Sequence, residues 1–138
     1  MPRAITVHNL AHARAALAAA SDLDVPVTLL SPPHGAGYLG AGYFLSLAAQ
    51  ATAEHPDARA SWILDCGDAP GLALGALARG CTAIRFTGSP AVRKKIADIA
   101  RQSGARIDNR KFKVLDLLTT DDALGAARAW LGGGKRTS

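Results

Sequence analysis

Polar side chains that could take part in chemistry recur along this chain, each set just after a short apolar run. In chain order they are His8 and Asn9; Ser31 and His34; Asp65, Cys66 and Asp68; Thr87, Gly88 and Ser89; and Asp108 and Asn109. In parallel α/β proteins, ligands bind beyond the carboxyl ends of the strands. If the apolar runs are such strands, these side chains share one edge, where Asp65 could act as a general acid/base and Ser31 could contact a ligand.

A glycine-rich stretch follows the second apolar run. Gly35, Gly37 and Gly40 match the GxGxxG pattern, whose backbone N–H groups can approach a phosphate at a helix start. Asp65 would be the ribose-binding acid, although it lies 25 positions past Gly40, where about 20 is usual. The residues 32–34 (PPH) also separate the glycines from the strand. The alternative is a flexible loop whose glycines permit close helix packing, and we expect no cofactor.

Gly88 and Ser89 form a second candidate anion site, because they precede Pro90 where a helix should begin. Residues 79–138 carry thirteen basic and five acidic side chains, whereas residues 1–78 carry three and six. The basic half could attract an anionic ligand or nucleic acid, or it could be a solvated surface. We expect a small anionic ligand as the partner, and neither nucleic acid nor a membrane.

Metal binding is not expected. Cys66 and Cys81 lie fifteen positions apart without a CxxC motif, which favours free thiols. His8 and His12 have i,i+4 spacing, but a strand-to-helix turn is predicted to separate them.

Apolar periodicity predicts five strand–helix units. The strands are predicted at 5–7, 25–30, 61–64, 82–86 and 113–118, and the helices at 12–20, 40–54, 72–79, 90–103 and 121–131. In the fourth helix, Val92, Ile96 and Ile99 would form one apolar stripe. This alternation predicts a five-stranded parallel sheet with helices on both faces.

The length of 138 residues indicates one α/β domain, predicted at 1–131, with a disordered tail at 132–138. No apolar run approaches the roughly 20 residues of a membrane-spanning helix. The N-terminus also lacks a long apolar stretch typical of a secretory signal, so we expect a cytoplasmic protein. Self-association into a homo-oligomer is left open.

The order of several segments resembles the N-terminal half of the class II fructose-bisphosphate aldolases, which are zinc-dependent TIM-barrel enzymes. The resemblance covers roughly residues 5–108. Residues 7–10 (VHNL) are similar to the family's Asn-Asn-Leu-Glu start, and 26–31 (PVTLLS) with 35–40 (GAGYLG) to its second strand and glycine-rich loop. Residues 64–67 (LDCG) stand where the family has Leu-Asp-His-Gly, and 80–84 (GCTAI) with Gly88 and Ser89 resemble its next strand and Asp-Gly-Ser turn.

The sequence differs from the family at residues that the family uses for catalysis and for zinc binding. The resemblance implies a catalytic role for Asp65, but Cys66 replaces the zinc-binding histidine and Thr87 replaces the aspartate of Asp-Gly-Ser. Asp108 lies near the family's Val-Glu-Ala-Glu segment, whose paired glutamates are absent. One thiolate and scattered carboxylates do not make the three-ligand open site that metal-assisted catalysis needs. We therefore expect neither aldolase activity nor stoichiometric zinc.

Two architectures and three functions fit these observations. An open, flavodoxin-like three-layer sandwich is favoured over a half TIM barrel, because a half-barrel exposes two strand edges. The leading function is binding of a small anionic metabolite at the strand ends through Ser31, Gly35, Gly37, Gly88 and Ser89. The alternatives are an enzyme that uses Asp65 as acid/base, with Cys66 or His34, and a regulatory protein-interaction module.

Overall fold

The computed structural model describes residues 1–133 and shows a parallel α/β protein. Within this range the strands are β1 (Arg3–Thr6), β2 (Val27–Leu30), β3 (Ala60–Asp65), β4 (Ala83–Arg85), β5 (Arg106–Ile107) and β6 (Lys113–Asp116). The helices are α1 (Leu10–Leu23), α2 (Gly35–Tyr38), α3 (Ala41–Glu54), α4 (Pro70–Ala78), α5 (Pro90–Gln102) and α6 (Ala123–Gly132). The prediction of a parallel α/β chain is confirmed.

The predicted number of five strands is wrong, because the sequence pattern gave no sign of β5. This strand has two residues, Arg106 and Ile107, and lacks the apolar run used to recognise the others. It is also followed directly by β6, so that the strict alternation of strand and helix fails there.

Contacts between residues divide the chain into two compact units. The terminal unit comprises Met1–Leu30, Leu47–Ser61 and the described part of Lys111–Ser138, and the central unit comprises Ser31–Ser46 and Trp62–Arg110. The central unit carries eight basic and four acidic side chains, and therefore most of the net charge of +5.

In the terminal unit, β1 lies between β2 and β6 and is parallel to both. The register places Ile5 opposite Leu29 on one side and opposite Leu115 on the other. Helix α1 buries the small side chains Ala13, Ala16 and Ala20, whose spacing places them on one helical face. The core of this unit therefore depends on alanine-rich helix packing beside a short parallel sheet.

In the central unit, β4 lies between β3 and β5, again with parallel pairing. Ile63, Leu64, Ile84 and Phe86 are fully buried and form its core together with Phe44. The Phe44 ring packs edge-on against Trp62, with ring centroids 6.0 Å apart. Since the strand ends are fixed by this core, the segments that follow β3 and β4 are held close together.

Two local predictions need correction. The glycine-rich stretch is not only a loop, because Gly35–Tyr38 form the short helix α2. In α5 the buried face comprises Ile96 and Ala100, whereas Ile99 is 43% exposed, so the predicted apolar stripe is only partly buried.

Helix α6 ends at Gly132, and residues 134–138 of the predicted tail lie outside the described residues. In the described range 1–133, no helix combines the length and the apolar character that crossing a membrane requires.

Candidate functional site

Ser31 and Asp65, two predicted site residues, are joined in the central unit. The Ser31 hydroxyl accepts a hydrogen bond from the Asp65 backbone N–H at 2.9 Å and donates to the Pro32 carbonyl at 3.0 Å. Ser31 is only 3% exposed. Asp65 Oδ1 accepts from the Gly67 N–H at 2.8 Å, which closes a turn directly after β3. The Ser31 hydroxyl thus holds the backbone at the end of β3 in place.

The backbone N–H groups of Gly35 and Gly37 are hydrogen-bonded to other residues of the chain. Their N–H groups donate to the carbonyls of Pro32 and His34 at 2.8 and 2.9 Å. A Cβ atom at Gly35 would lie 2.6 Å from Ser31 Oγ, so close packing against Ser31 explains the glycine there. The predicted phosphate contact through these two glycines stays a prediction, but their N–H groups already have partners.

The turn after β3 contains a glycine that the sequence analysis did not single out. Gly67 has φ +57°, and a Cβ atom there would lie 2.2 Å from Nδ1 of His34. The His34 imidazole is therefore packed directly on the backbone at Gly67. The Thr87 N–H donates to the Gly67 carbonyl at 2.8 Å, which ties this turn to the segment after β4. The final glycine of the LDCG pattern was the feature of the sequence that could have indicated this turn.

Cys66 is fully buried at the end of β3. Burial, followed by the nearby Cys81 and Asp65 groups, raises the pKa of the Cys66 thiol to about 12. The thiolate is the nucleophilic and metal-binding form of cysteine, so this environment opposes both roles. Across residues 1–133, no group of three or more His, Cys, Asp and Glu side chains is arranged so that it could hold a metal ion.

Gly88 and Ser89 lie at the start of α5. Ser89 Oγ accepts a hydrogen bond from the Val92 N–H at 3.4 Å, so Ser89 is the N-cap of the helix. A Cβ atom at Gly88 would meet the Phe86 ring at 2.3 Å. The absence of a side chain at Gly88 is thus explained by the buried ring. An anion contact through Gly88 and Ser89 stays a prediction.

A cavity of about 350 Å³ lies beside the glycine-rich stretch, within the central unit. It is lined by Ala36, Gly40, Ala41, Gly42, Gly71, Leu72, Gly75, Ala76 and Arg79. Arg79 is its charged lining residue, and its guanidinium lies next to Gly42, where a Cβ atom would be 3.2 Å from Nη1. The first turn of α3 begins at Ala41 on the same wall. A single cation and the amino end of a helix thus meet at an otherwise apolar cavity.

Asp108 is the buried acid of the central unit, and it is surrounded by arginines. Arg110 binds it with Nε on Oδ1 at 2.9 Å and Nη2 on Oδ2 at 2.8 Å, while Arg106 Nη2 lies 3.3 Å from Oδ2. The hydrogen bond from Arg110 is the main reason why the pKa of Asp108 is lowered to about 2. Asp108 stands near the family's glutamate pair in sequence, but here its carboxylate is already occupied.

Asn109 continues the ladder between β4 and β5 with its side chain. Its Oδ1 accepts from the Phe86 N–H at 3.1 Å, and its Nδ2 donates to the Phe86 carbonyl at 2.7 Å. The amide therefore replaces a backbone pairing beyond the end of β5 and is used for structure.

The terminal unit holds a second cluster of titratable groups, at the carboxyl ends of β1 and β6. His8 Nε2 lies 2.8 Å from Asp116 Oδ1, and the His8 backbone N–H donates to His12 Nδ1 at 3.1 Å. The two rings are 5.6 Å apart and nearly perpendicular, so the turn after β1 brings them together rather than separating them. Desolvation and the neighbouring His8 lower the pKa of His12.

Comparison with known proteins finds a similarity of structure. No protein-family model and no curated protein sequence matches the chain. Among solved structures, it is similar to a protein from Coccidioides immitis assigned as a fructose-1,6-bisphosphate aldolase, with a TM-score of 0.62 and 20% identity. The fold is aldolase-like. The match covers 77% of this chain but only 39% of that protein, and at this identity it carries the fold alone.

Proposed function

We propose that this protein binds a small anionic metabolite in the Arg79 cavity of the central unit and lacks fructose-bisphosphate aldolase activity. The observation that carries the binding proposal is the position of the Arg79 guanidinium against Gly42 in the wall of the cavity. A guanidinium can bind a phosphate or carboxylate through two parallel hydrogen bonds.

The surroundings of Arg79 support an anion rather than a cation. Gly42 lies in the first turn of the fourteen-residue helix α3, where backbone N–H groups and the helix dipole favour negative charge. Carboxylates are absent from the residues that line the cavity. The central unit as a whole has an excess of basic side chains, which raises the local concentration of anions.

The cavity has space because two of the glycines that line it, both in α4, have nothing beside them. At Gly71 and Gly75, no atom lies within 4 Å of the position that a Cβ atom would take. These two glycines are one turn apart in α4 and both line the cavity. A leucine at Gly75 would extend into this space, which offers a way to block the site without disturbing a packed neighbour.

The proposed lack of aldolase activity rests on Cys66. It takes the place of the zinc-binding histidine in the resembling family, and its buried thiol has a pKa of about 12. A thiol with this pKa is protonated at neutral pH and is a poor zinc ligand. A cleavage assay with fructose 1,6-bisphosphate in the presence of added zinc is expected to show no turnover, and measurable turnover would contradict this part of the proposal.

Calorimetric titration with inorganic phosphate at low salt tests the binding proposal. Arg79→Ala should weaken binding about tenfold or more, the usual scale for a lost hydrogen bond to a charged group. Gly75→Leu should abolish it by filling the cavity. Lys95→Ala is the matched control, since Lys95 is exposed and does not line the cavity. Equal affinities of all four proteins, or no binding to the unmodified protein, would refute the proposal.

A further inference from the structure

Strand β5 has an outer edge that is separate from the Arg79 cavity. β5 pairs with β4 through the Arg106 N–H, which donates to Thr82, and the Asp108 N–H, which donates to Ile84. Since alternate residues of a strand direct their backbone groups to opposite sides, the N–H and C=O groups of Ile107 point away from β4. Among the described residues, β5 has no second strand partner.

A groove of about 450 Å³ adjoins this edge. It is lined by Pro90, Arg93, Lys94, Ala97, Ile107 and Asn109. The α5 residues of this set follow the spacing of one helical face, so that α5 forms one wall and the end of the β5 segment forms the other. The groove therefore combines an apolar surface with a strand edge.

The charge of the groove has one sign. Arg93 and Lys94 are its charged residues, and within the part of the chain that is described neither forms an ion pair with a carboxylate. Asp98, the acidic residue of α5, is paired with Arg101 one turn further along the helix. The two cations thus complement a negatively charged occupant.

We propose that this groove binds an extended acidic segment of a partner protein, which adds to β5 as a further strand and places carboxylates against Arg93 and Lys94. Strand addition gives affinity through the main chain, and side-chain contacts give specificity. The backbone of Ile107 supplies one donor and one acceptor. Ala97 and Pro90 offer an apolar surface for the alternate side chains of such a segment.

The edge favours a peptide over a nucleic-acid backbone. A phosphodiester offers acceptors only, so it would pair with the Ile107 N–H and leave the Ile107 carbonyl without a donor. A peptide strand satisfies both groups at once. The apolar part of the groove also suits aliphatic side chains better than a sugar–phosphate chain.

Fluorescence anisotropy with synthetic peptides tests strand addition from the ligand side. The probe is a labelled peptide of about eight residues with alternating valine and glutamate, which is within the usual length of a β-strand. The same peptide with N-methyl groups on one edge cannot donate to β5, and binding is expected to weaken about tenfold or more, as for lost main-chain hydrogen bonds. Equal binding of the two peptides would overturn the proposal, as would tighter binding of a short RNA of equal charge.

Charge reversal tests the groove from the protein side. Arg93→Glu and Lys94→Glu should each weaken binding of the valine–glutamate peptide by about tenfold at low salt, with a smaller effect at high salt. Lys95→Glu makes the same charge change on the same helix outside the groove and should leave affinity within about twofold. Circular dichroism verifies that each variant is folded. If Lys95→Glu weakens binding as much as Lys94→Glu, attraction is unspecific and the groove is not the site.

Discussion

Replacing Asp108 by asparagine should expose how much the buried carboxylate contributes to stability. Its side chain is 3% exposed and is held by Arg110 through two hydrogen bonds of 2.8 and 2.9 Å. These bonds, above all, lower the pKa of Asp108 from 3.8 to about 2. This lowering of the pKa corresponds to about 2 kcal/mol of stability at neutral pH.

Asp108→Asn should therefore reduce the free energy of unfolding at pH 7 by about 2 to 3 kcal/mol, because the amide also turns N–H donors toward the guanidinium of Arg110. The pH dependence follows from the direction of the shift. The folded pKa lies below the unfolded value of 3.8, so the contribution is complete above about pH 5 and is lost as pH falls toward about 2. The difference between the two proteins should close over the same range.

Urea unfolding between pH 7 and pH 3, followed by tryptophan fluorescence, measures this difference. Asp98→Asn is the control, because its ion pair with Arg101 is exposed and is worth at most about 0.5 kcal/mol. Equal unfolding free energies for Asp108→Asn and the unmodified protein at pH 7 would refute the reasoning. A difference that persists unchanged at pH 3 would show that the loss comes from packing rather than from charge.

Three further predictions concern single residues. The Cys66 thiol should resist alkylation in the folded protein at pH 8, since its pKa is about 12, and should react on denaturation; rapid reaction in the native state would contradict its burial. Because the pKa of His12 is lowered in the folded state, the free energy of unfolding should fall as the pH drops below about 6.5. His12→Asn keeps an acceptor for the His8 N–H, and in urea titrations it should make the free energy of unfolding depend less on pH. Gly67→Ala should lower the free energy of unfolding by about 1 to 3 kcal/mol, because the residue has a positive φ and its Cβ atom would collide with His34. Gly75→Ala, where a Cβ atom meets nothing, should instead stabilise α4 by up to about 1 kcal/mol. Thermal unfolding measures both variants, and equal effects would be inconsistent with the backbone geometry.

Long apolar runs determined how much of the fold could be predicted. β3 and β4 carry side chains such as Ile63 and Ile84 that must be buried, so their positions follow from the sequence pattern. β5 could not be found in this way. Its ladder is short and is completed by the side chain of Asn109, a contact that depends on the position of Phe86 and not on local sequence.

In the candidate site too, positions near strand ends could be predicted from the sequence, whereas contacts between residues far apart in the chain could not. Ser31 and Gly35 follow β2 as predicted, whereas Asp65 is the last residue of β3, and the three residues lie together. Their sequence did not reveal that the Ser31 hydroxyl bonds a backbone group 34 positions away. The pairing of His8 with Asp116 spans 108 positions and was likewise beyond any pattern of spacing.

The discontinuous terminal unit fixes an order of events during synthesis. All of the central unit, up to Arg110, is synthesised before β6 and α6. One edge of β1 is paired only after β6 is made, and the Trp130 indole N–H that bonds the Ala4 carbonyl arrives 126 positions later. Until those elements are made, one edge of β1 and the surface of α1 that contacts α6 stay exposed, and unpaired edges and exposed apolar surface of this kind favour aggregation of a nascent chain.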